Sequence, residues 1–259
     1  MREGFVDLSD VRLWHWDTGG AGEAVVLCHP ASQGCQIWQH QRQAFSAAGY
    51  RVIGYSRRGV YKSESGNPAA MRSTVEDLAE LLDVLDVSKA HLLGAAAGGI
   101  TATAFAVRNP HRIRSLVLAG TIVAPDEAEW REMFARLGIA GLRGKVSDEF
   151  LELGPSYRAS DPAGSTRFAA LSEEALHGKP APQPVGVRVT WKALESLPMP
   201  VLLITGEADL YAPPPLMRLI AGHIPRNRLE TLRECGHAPY WETPADFNGR
   251  VLAFLGEGR

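Results

Sequence analysis

Hydrophobic positions recur along this chain with two different periods, and the switches between them mark out its elements. Residues 4–8 and 11–17 alternate polar and apolar about Ser9-Asp10, which predicts an N-terminal hairpin. The unbroken apolar run Ala24-Val25-Val26-Leu27-Cys28 suits a strand buried on both faces, and further strands are expected at residues 50–55, 90–93, 115–120 and 201–205, with 228–232 as the last. Helical spacing is predicted over 36–48 and from the Ser73-to-Glu76 capping box through Val75, Leu78, Ala79, Leu82 and Leu85. Further helices are expected from 100 to the stop at Asn109-Pro110, over 215–224 and over 244–255. Such alternation of strand and helix predicts an α/β fold, a mostly parallel central sheet with helices on both faces. Between 122 and 197 the rhythm breaks, and only helices are predicted, over 127–137, 148–153, 165–177 and 189–197. The expected organisation is a core in two parts, 1–121 and 198–259, with 122–197 inserted as a helical cap over the sheet's carboxyl edge, where open α/β sheets bind ligands.

Composition narrows the partners. At 259 residues the chain is long enough for one large α/β domain. With 27 basic against 29 acidic residues and a net charge of −2, no imbalance points to nucleic acid or to an anionic membrane surface, and a small-molecule partner is expected. The N-terminus enters charged, alternating sequence without the apolar run of a secretory signal, and no segment is apolar enough to span a bilayer, so a cytoplasmic location is expected. Cys28, Cys35 and Cys235 are odd in number and lack metal-ligand spacing; they read as free thiols that pack as small apolar groups.

The chemistry concentrates at Leu92-Leu93-Gly94-Ala95-Ala96-Ala97-Gly98-Gly99, an apolar run that turns through small residues into a long apolar segment. A strand entering a buried helix this sharply holds its tip residue in a strained backbone conformation, and Gly94 and Gly98 supply room for the flanking chain. The helix N-terminus then aims unpaired amides at charge beside the tip, and Ala97 is placed to donate one of them. Downstream come Gly206-Glu207-Ala208-Asp209 after one strand and Gly236-His237 after the last. The early strand leads into His29-Pro30-Ala31-Ser32.

In that order these motifs resemble the α/β-hydrolase superfamily over essentially the whole chain. The G-x-S-x-G elbow of the family maps onto Gly94 to Gly98, with Ala96 at the place of the nucleophilic serine. The resemblance implies a triad of position 96, Asp209 and His237, with His237 as general base and Asp209 holding its tautomer. Glu207 and Asp126 are the other acids available. It also implies an oxyanion hole from the Ala97 amide and that of Ala31 or Ser32, and no metal or organic cofactor. His29 stands in the family's His-Gly loop with Pro30 replacing glycine, which implies a turn-shaping role.

The loop Ser56-Arg57-Arg58-Gly59-Val60-Tyr61-Lys62-Ser63 resembles the family's Asp-x-Arg-Gly-x-Gly-x-Ser, with Ser56 for the acid and Tyr61 for the second glycine. Tyr61 with Arg57 and Lys62 either narrows the pocket and meets a substrate carboxylate or carries surface charge. Trp130 and Phe134 form an apolar stripe that packs on the body or roofs the pocket, and Trp38, Phe168 and Trp191 are further aromatics suited to core or pocket.

An alanine at the tip cannot form an acyl-enzyme. The expected activity is therefore that of a serine hydrolase acting on a small ester or lactone, carried here with alanine replacing serine, since the glycines, base and acid around the tip are intact. Ala97-Gly98-Gly99 follows the esterase pattern rather than the aspartate-plus-aromatic pattern of dehalogenase-type relatives. The alternatives are a natural ligand-binding homologue without turnover, a carbon–carbon bond hydrolase, and cofactor-free lyase or oxygenase chemistry driven by His237 and Asp209.

Overall fold

The computed structural model describes residues 1–142, 144–176 and 180–257. Its framework begins with β1 (Arg2–Asp7), β2 (Arg12–Asp17) and β3 (Ala24–Cys28), followed by α1 (Gln39–Ala47), β4 (Arg51–Tyr55) and α2 (Thr74–Val84). Next come β5 (Ala90–Ala95), α3 (Ala97–Arg108) and β6 (Ile113–Ala119). Five helices follow before the next strand: α4 (Ala128–Arg136), α5 (Asp148–Glu152), α6 (Pro155–Ser160), α7 (Pro162–Ala175) and α8 (Trp191–Glu195). The chain closes with β7 (Val201–Gly206), α9 (Pro214–Gly222), β8 (Asn227–Leu232), α10 (Pro239–Glu242) and α11 (Pro244–Gly256).

The strands form one sheet in the order β1-β2-β4-β3-β5-β6-β7-β8. The β1–β2 hairpin and the β2–β4 pair are antiparallel, and every pair from β4 to β8 is parallel. Side chains alternate across a strand, so the apolar runs divide between two layers. Val26, Leu92, Leu118 and Leu203 pack on one face with Leu78 of α2, Phe105 of α3 and Leu216 of α9. On the other face, Val25, Leu93, Val117 and Leu202 pack with Phe45 of α1 and Phe247 and Val251 of α11.

Local signals explain most boundaries. Ser73 caps α2 through the expected box: its hydroxyl accepts the Glu76 amide at 3.2 Å and Glu76 Oε2 accepts the Ser73 amide at 2.9 Å. The helix expected over 36–48 divides into a 3₁₀ turn, Cys35–Trp38, which tucks Ile37 and Trp38 into the core, and α1. The helix expected over 165–177 starts at Pro162, with Asp161 accepting the Gly164 amide at 2.8 Å, and runs to Ala175; His177 lies outside the described residues. Among the described residues no helix is long and apolar enough to cross a membrane.

Candidate active site

The residues singled out by the motifs gather along the carboxyl edge of the parallel strands. Ala96, between β5 and α3, has φ 48° and ψ −118°, a conformation that side chains rarely adopt. Its amide donates to the Ala119 carbonyl at 3.0 Å, and its carbonyl accepts from Gly99 N–H at 3.0 Å and from the Thr121 hydroxyl at 2.7 Å. These bonds hold the turn from both sides. Gly98 carries the close approach on which the elbow depends, since a Cβ there would stand 2.0 Å from the Cys28 carbonyl oxygen. Ala96 and Ala97 keep partial exposure while Gly94, Ala95, Gly98 and Gly99 are buried, so the tip is the accessible part of the turn. As the first residue of α3, Ala97 has no acceptor within the helix for its amide, which is therefore available to a ligand oxygen.

Asp209, in the loop after β7, is buried and fixed before it meets the histidine. Its Oδ1 accepts the Tyr211 and Ala212 amides, each at 2.8 Å. His237 Nδ1 donates to the two carboxylate oxygens at 2.9 and 3.0 Å. Burial opposes charging of the imidazole, but the Asp209 carboxylate, with Glu152 and Glu242 behind it, outweighs that and raises the His237 pKa above its ordinary value. The Tyr211 ring lies 4.6 Å from the imidazole.

Gly120 brings the dyad to the elbow. It follows Ala119, the residue that accepts the Ala96 amide, and takes φ 51°; a Cβ at this position would lie 3.2 Å from His237 Nδ1 and 3.3 Å from Asp209 Oδ2. With Nδ1 committed to Asp209, Nε2 is the nitrogen left to exchange a proton.

Two buried carboxyls that the motifs do not announce stand behind the histidine, one from the insertion and one from the helix after β8. Glu152, at the end of α5, takes the His237 amide on its carbonyl at 2.8 Å and the Ser32 hydroxyl on Oε2 at 2.9 Å. Burial raises its pKa to about 7, against the lowering influence of His237 and of Ser32. Glu242 of α10 accepts the Gly154 and Gly236 amides at 2.9 Å and the Ala238 amide at 3.1 Å, and so ties the histidine loop to the start of α6. Desolvation raises its pKa, with those amides pulling the other way. Two residues before Gly154 and five after His237, these glutamates become site residues only when the chain folds back, and neither sits in a motif that marks it.

A model of the alpha/beta hydrolase fold family matches residues 23–244. The chain belongs to that family. It is similar to a 2-hydroxy-6-oxononadienedioate/2-hydroxy-6-oxononatrienedioate hydrolase of Cupriavidus pinatubonensis, with 32% identity over 271 residues, 96% of this chain and 92% of that protein. Among solved structures, a hydrolase from Pseudomonas aeruginosa superposes with a TM-score of 0.78 at 29% identity, covering 98% of each chain. A thermophilic esterase from Thermogutta terrifontis shares the fold, with a TM-score of 0.81 at 23% identity and 100% and 99% coverage.

Against this hydrolase framework the remaining expected residues divide. Ser32 is buried and Ala31 exposed on the loop after β3. His29 is fully buried; its Nδ1 donates to the Pro30 carbonyl at 2.7 Å and its Nε2 accepts the Arg57 amide at 3.0 Å, so it shapes the loop and has no nitrogen left for a substrate. Tyr61, with φ 55°, turns its ring edge-on to Trp14 at 6.4 Å, and exposed Lys62 lies over both rings, so this pair builds the outer surface. Trp130 stacks on Phe134 at 5.0 Å and is buried in the same layer as Leu216 of α9. Asp126 is exposed and paired with Arg131 and Arg188, and Glu207 is exposed and accepts the Glu234 amide; neither touches His237. The three cysteines are buried and free, and desolvation pushes the Cys28 and Cys35 thiols up to about 12.

Proposed function

We propose that the elbow at Ala96 is an acyl-transfer site of the serine-hydrolase kind, built for an ester or lactone carbonyl, and that with alanine at the tip it binds such substrates without forming an acyl-enzyme. The observation that carries this reading is the Asp209–His237 pair, set beside a strained elbow tip by Gly120. A serine hydroxyl at position 96 would attack the carbonyl carbon while His237 Nε2 takes its proton. The oxyanion would be held by the Ala97 amide and one from the loop holding Ala31 and Ser32. His237 would return the proton to the leaving alcohol, then deprotonate the water that frees the acid. The insertion between β6 and β7 would act as the cap that keeps this sequence dry.

The test is the Ala96→Ser variant. It should react with a fluorophosphonate probe and gain ester turnover by a factor on the order of 10⁵–10⁶ over the unaltered chain. No adduct and no turnover in a folded variant would sink the proposal.

Carbon–carbon bond hydrolysis is the second reading, favoured by the 32% identity to a hydrolase whose named substrate, a 2-hydroxy-6-oxo dienedioate, carries a ketone and no ester. It uses the same dyad and oxyanion hole, and it predicts that the same variant cleaves a vinylogous diketone faster than a simple ester.

A further inference from the structure

Two consecutive arginines after β4 have opposite surroundings. Arg58 is enclosed by carboxylates, with Nε 2.7 Å from Asp77 Oδ2 and Nη2 2.7 Å from Asp10 Oδ1. Arg57 has no ion pair among the described residues. Its Nε faces His29 Nε2 at 3.4 Å, its Nη2 donates to the Pro30 carbonyl at 3.1 Å, and Nη1 has no hydrogen-bond partner among the described residues. A guanidinium taken out of water without a counter-charge is costly, and burial pulls the Arg57 pKa below its ordinary value with no carboxylate to oppose it.

Arg57 nevertheless keeps some accessible surface, and the insertion roofs the loop around it. The Tyr61 amide donates to the Ala175 carbonyl of α7 at 2.6 Å, and a Cβ on Gly59 would stand 3.1 Å from Pro180 Cβ. The loop that carries Arg57 thus lies at the sheet's carboxyl edge with the insertion packed on it. In the sheet Tyr55 of β4 and Gly94 of β5 both pair with Cys28 and so stand two strand spacings, about 10 Å, apart, and Arg57 and Ala96 each follow two residues later. The side chain reaches back over the end of β3 to Pro30, roughly halving that gap.

We propose that Arg57 anchors a substrate carboxylate: the site takes an acyl compound bearing a free carboxylate about four carbon atoms from the scissile carbonyl, bound end-on by the guanidinium. This rests on the hydrolase reading above and adds the substrate class. Neutral esters would bind without a counter-charge for Arg57 and therefore more weakly.

Because the unaltered chain does not form an acyl-enzyme, binding can be measured directly by calorimetry with monomethyl adipate and dimethyl adipate. The monoester should bind at least about tenfold more tightly, and Arg57→Met should abolish that difference. An unaltered chain that binds the two alike, that binds neither, or whose preference survives Arg57→Met overturns the assignment. Should Arg57→Met fail to fold, monomethyl succinate, glutarate, adipate and suberate on the unaltered chain decide: an affinity maximum near adipate supports the anchor, and a flat series overturns it. Labelling of Ala96→Ser by an uncharged fluorophosphonate does not involve Arg57, so labelling without carboxylate preference removes the anchor alone, while absence of labelling removes the hydrolase reading.

Discussion

Ala96 is held at φ 48° by bonds on both of its backbone groups, a geometry that costs a residue with a Cβ on the order of 1–3 kcal/mol. Ala96→Gly should therefore stabilise the fold by about 1 kcal/mol in urea unfolding, the reverse of the usual effect of glycine. Glu152 carries a different stress. Its folded pKa of about 7 lies above the ordinary carboxyl value, so the folded protein holds the proton more tightly and stability falls as pH rises from about 4.5 through 7. Glu152→Gln removes that slope, and its melting temperature relative to the unaltered chain should be higher at pH 8 than at pH 5, by the equivalent of about 3 kcal/mol at most. His237 is linked in the same direction, through a charge that forms rather than one that is lost. With its pKa raised by Asp209, it contributes stability below its ordinary value that is lost as pH rises through the folded one. The acid limb of Ala96→Ser turnover should accordingly have its midpoint above pH 6.5. Asp209 and His237 were legible because each closes a loop after a strand with family spacing. Gly120 and Glu152 were not, since what matters in them is a backbone angle and a contact across 120 residues from Ser32, neither of which leaves a local pattern.

At the scale of elements, Glu242 decides how firmly the histidine loop is set. It joins the start of α6, the loop and α10 by accepting three buried amides. Glu242→Ala leaves those amides without an acceptor and should cost about 3 kcal/mol or more in denaturant unfolding, whereas Glu242→Gln keeps an acceptor oxygen and should cost less. Long elements were readable from period alone, because an apolar face repeated over several turns has one solution. Short ones were not. Both α6 and α10 begin at a proline and last about a turn, and their sequences, Pro155-Ser-Tyr and Pro239-Tyr-Trp, read as loop until Gly154 and Ala238 are placed against Glu242. Trp130 shows the converse: its stripe was visible, but whether it faced a pocket or α9 depended on an insertion whose packing no periodicity specifies.

At the scale of the molecule, the two apolar layers make the sheet the rigid part. Phe105, fully buried in one of them, should cost about 3–5 kcal/mol when changed to alanine, without altering ligand preference. The insertion is joined to this frame at the histidine loop, at the start of α2, where the Thr74 amide donates to the Pro184 carbonyl at 2.9 Å, and at the loop after β3. Gln33 Nε2 donates to the Phe168 carbonyl and Gln36 Nε2 to the Leu171 carbonyl, each at 3.2 Å, while the Ser172 hydroxyl donates to the Ser32 carbonyl at 2.8 Å and Glu152 holds the Ser32 side chain. Any outward swing of α5 and α7 that admits a ligand must break these tethers or drag the chain around Ser32 along with it. Under the proposed acyl-transfer reading, admission and oxyanion binding would thus be mechanically opposed: opening would take the amides around Ser32 out of register, and a bound acyl group would restore them. Amide hydrogen exchange in residues 31–36 should slow together with that in 148–176 when monomethyl adipate is added, and the two segments should exchange in concert without it.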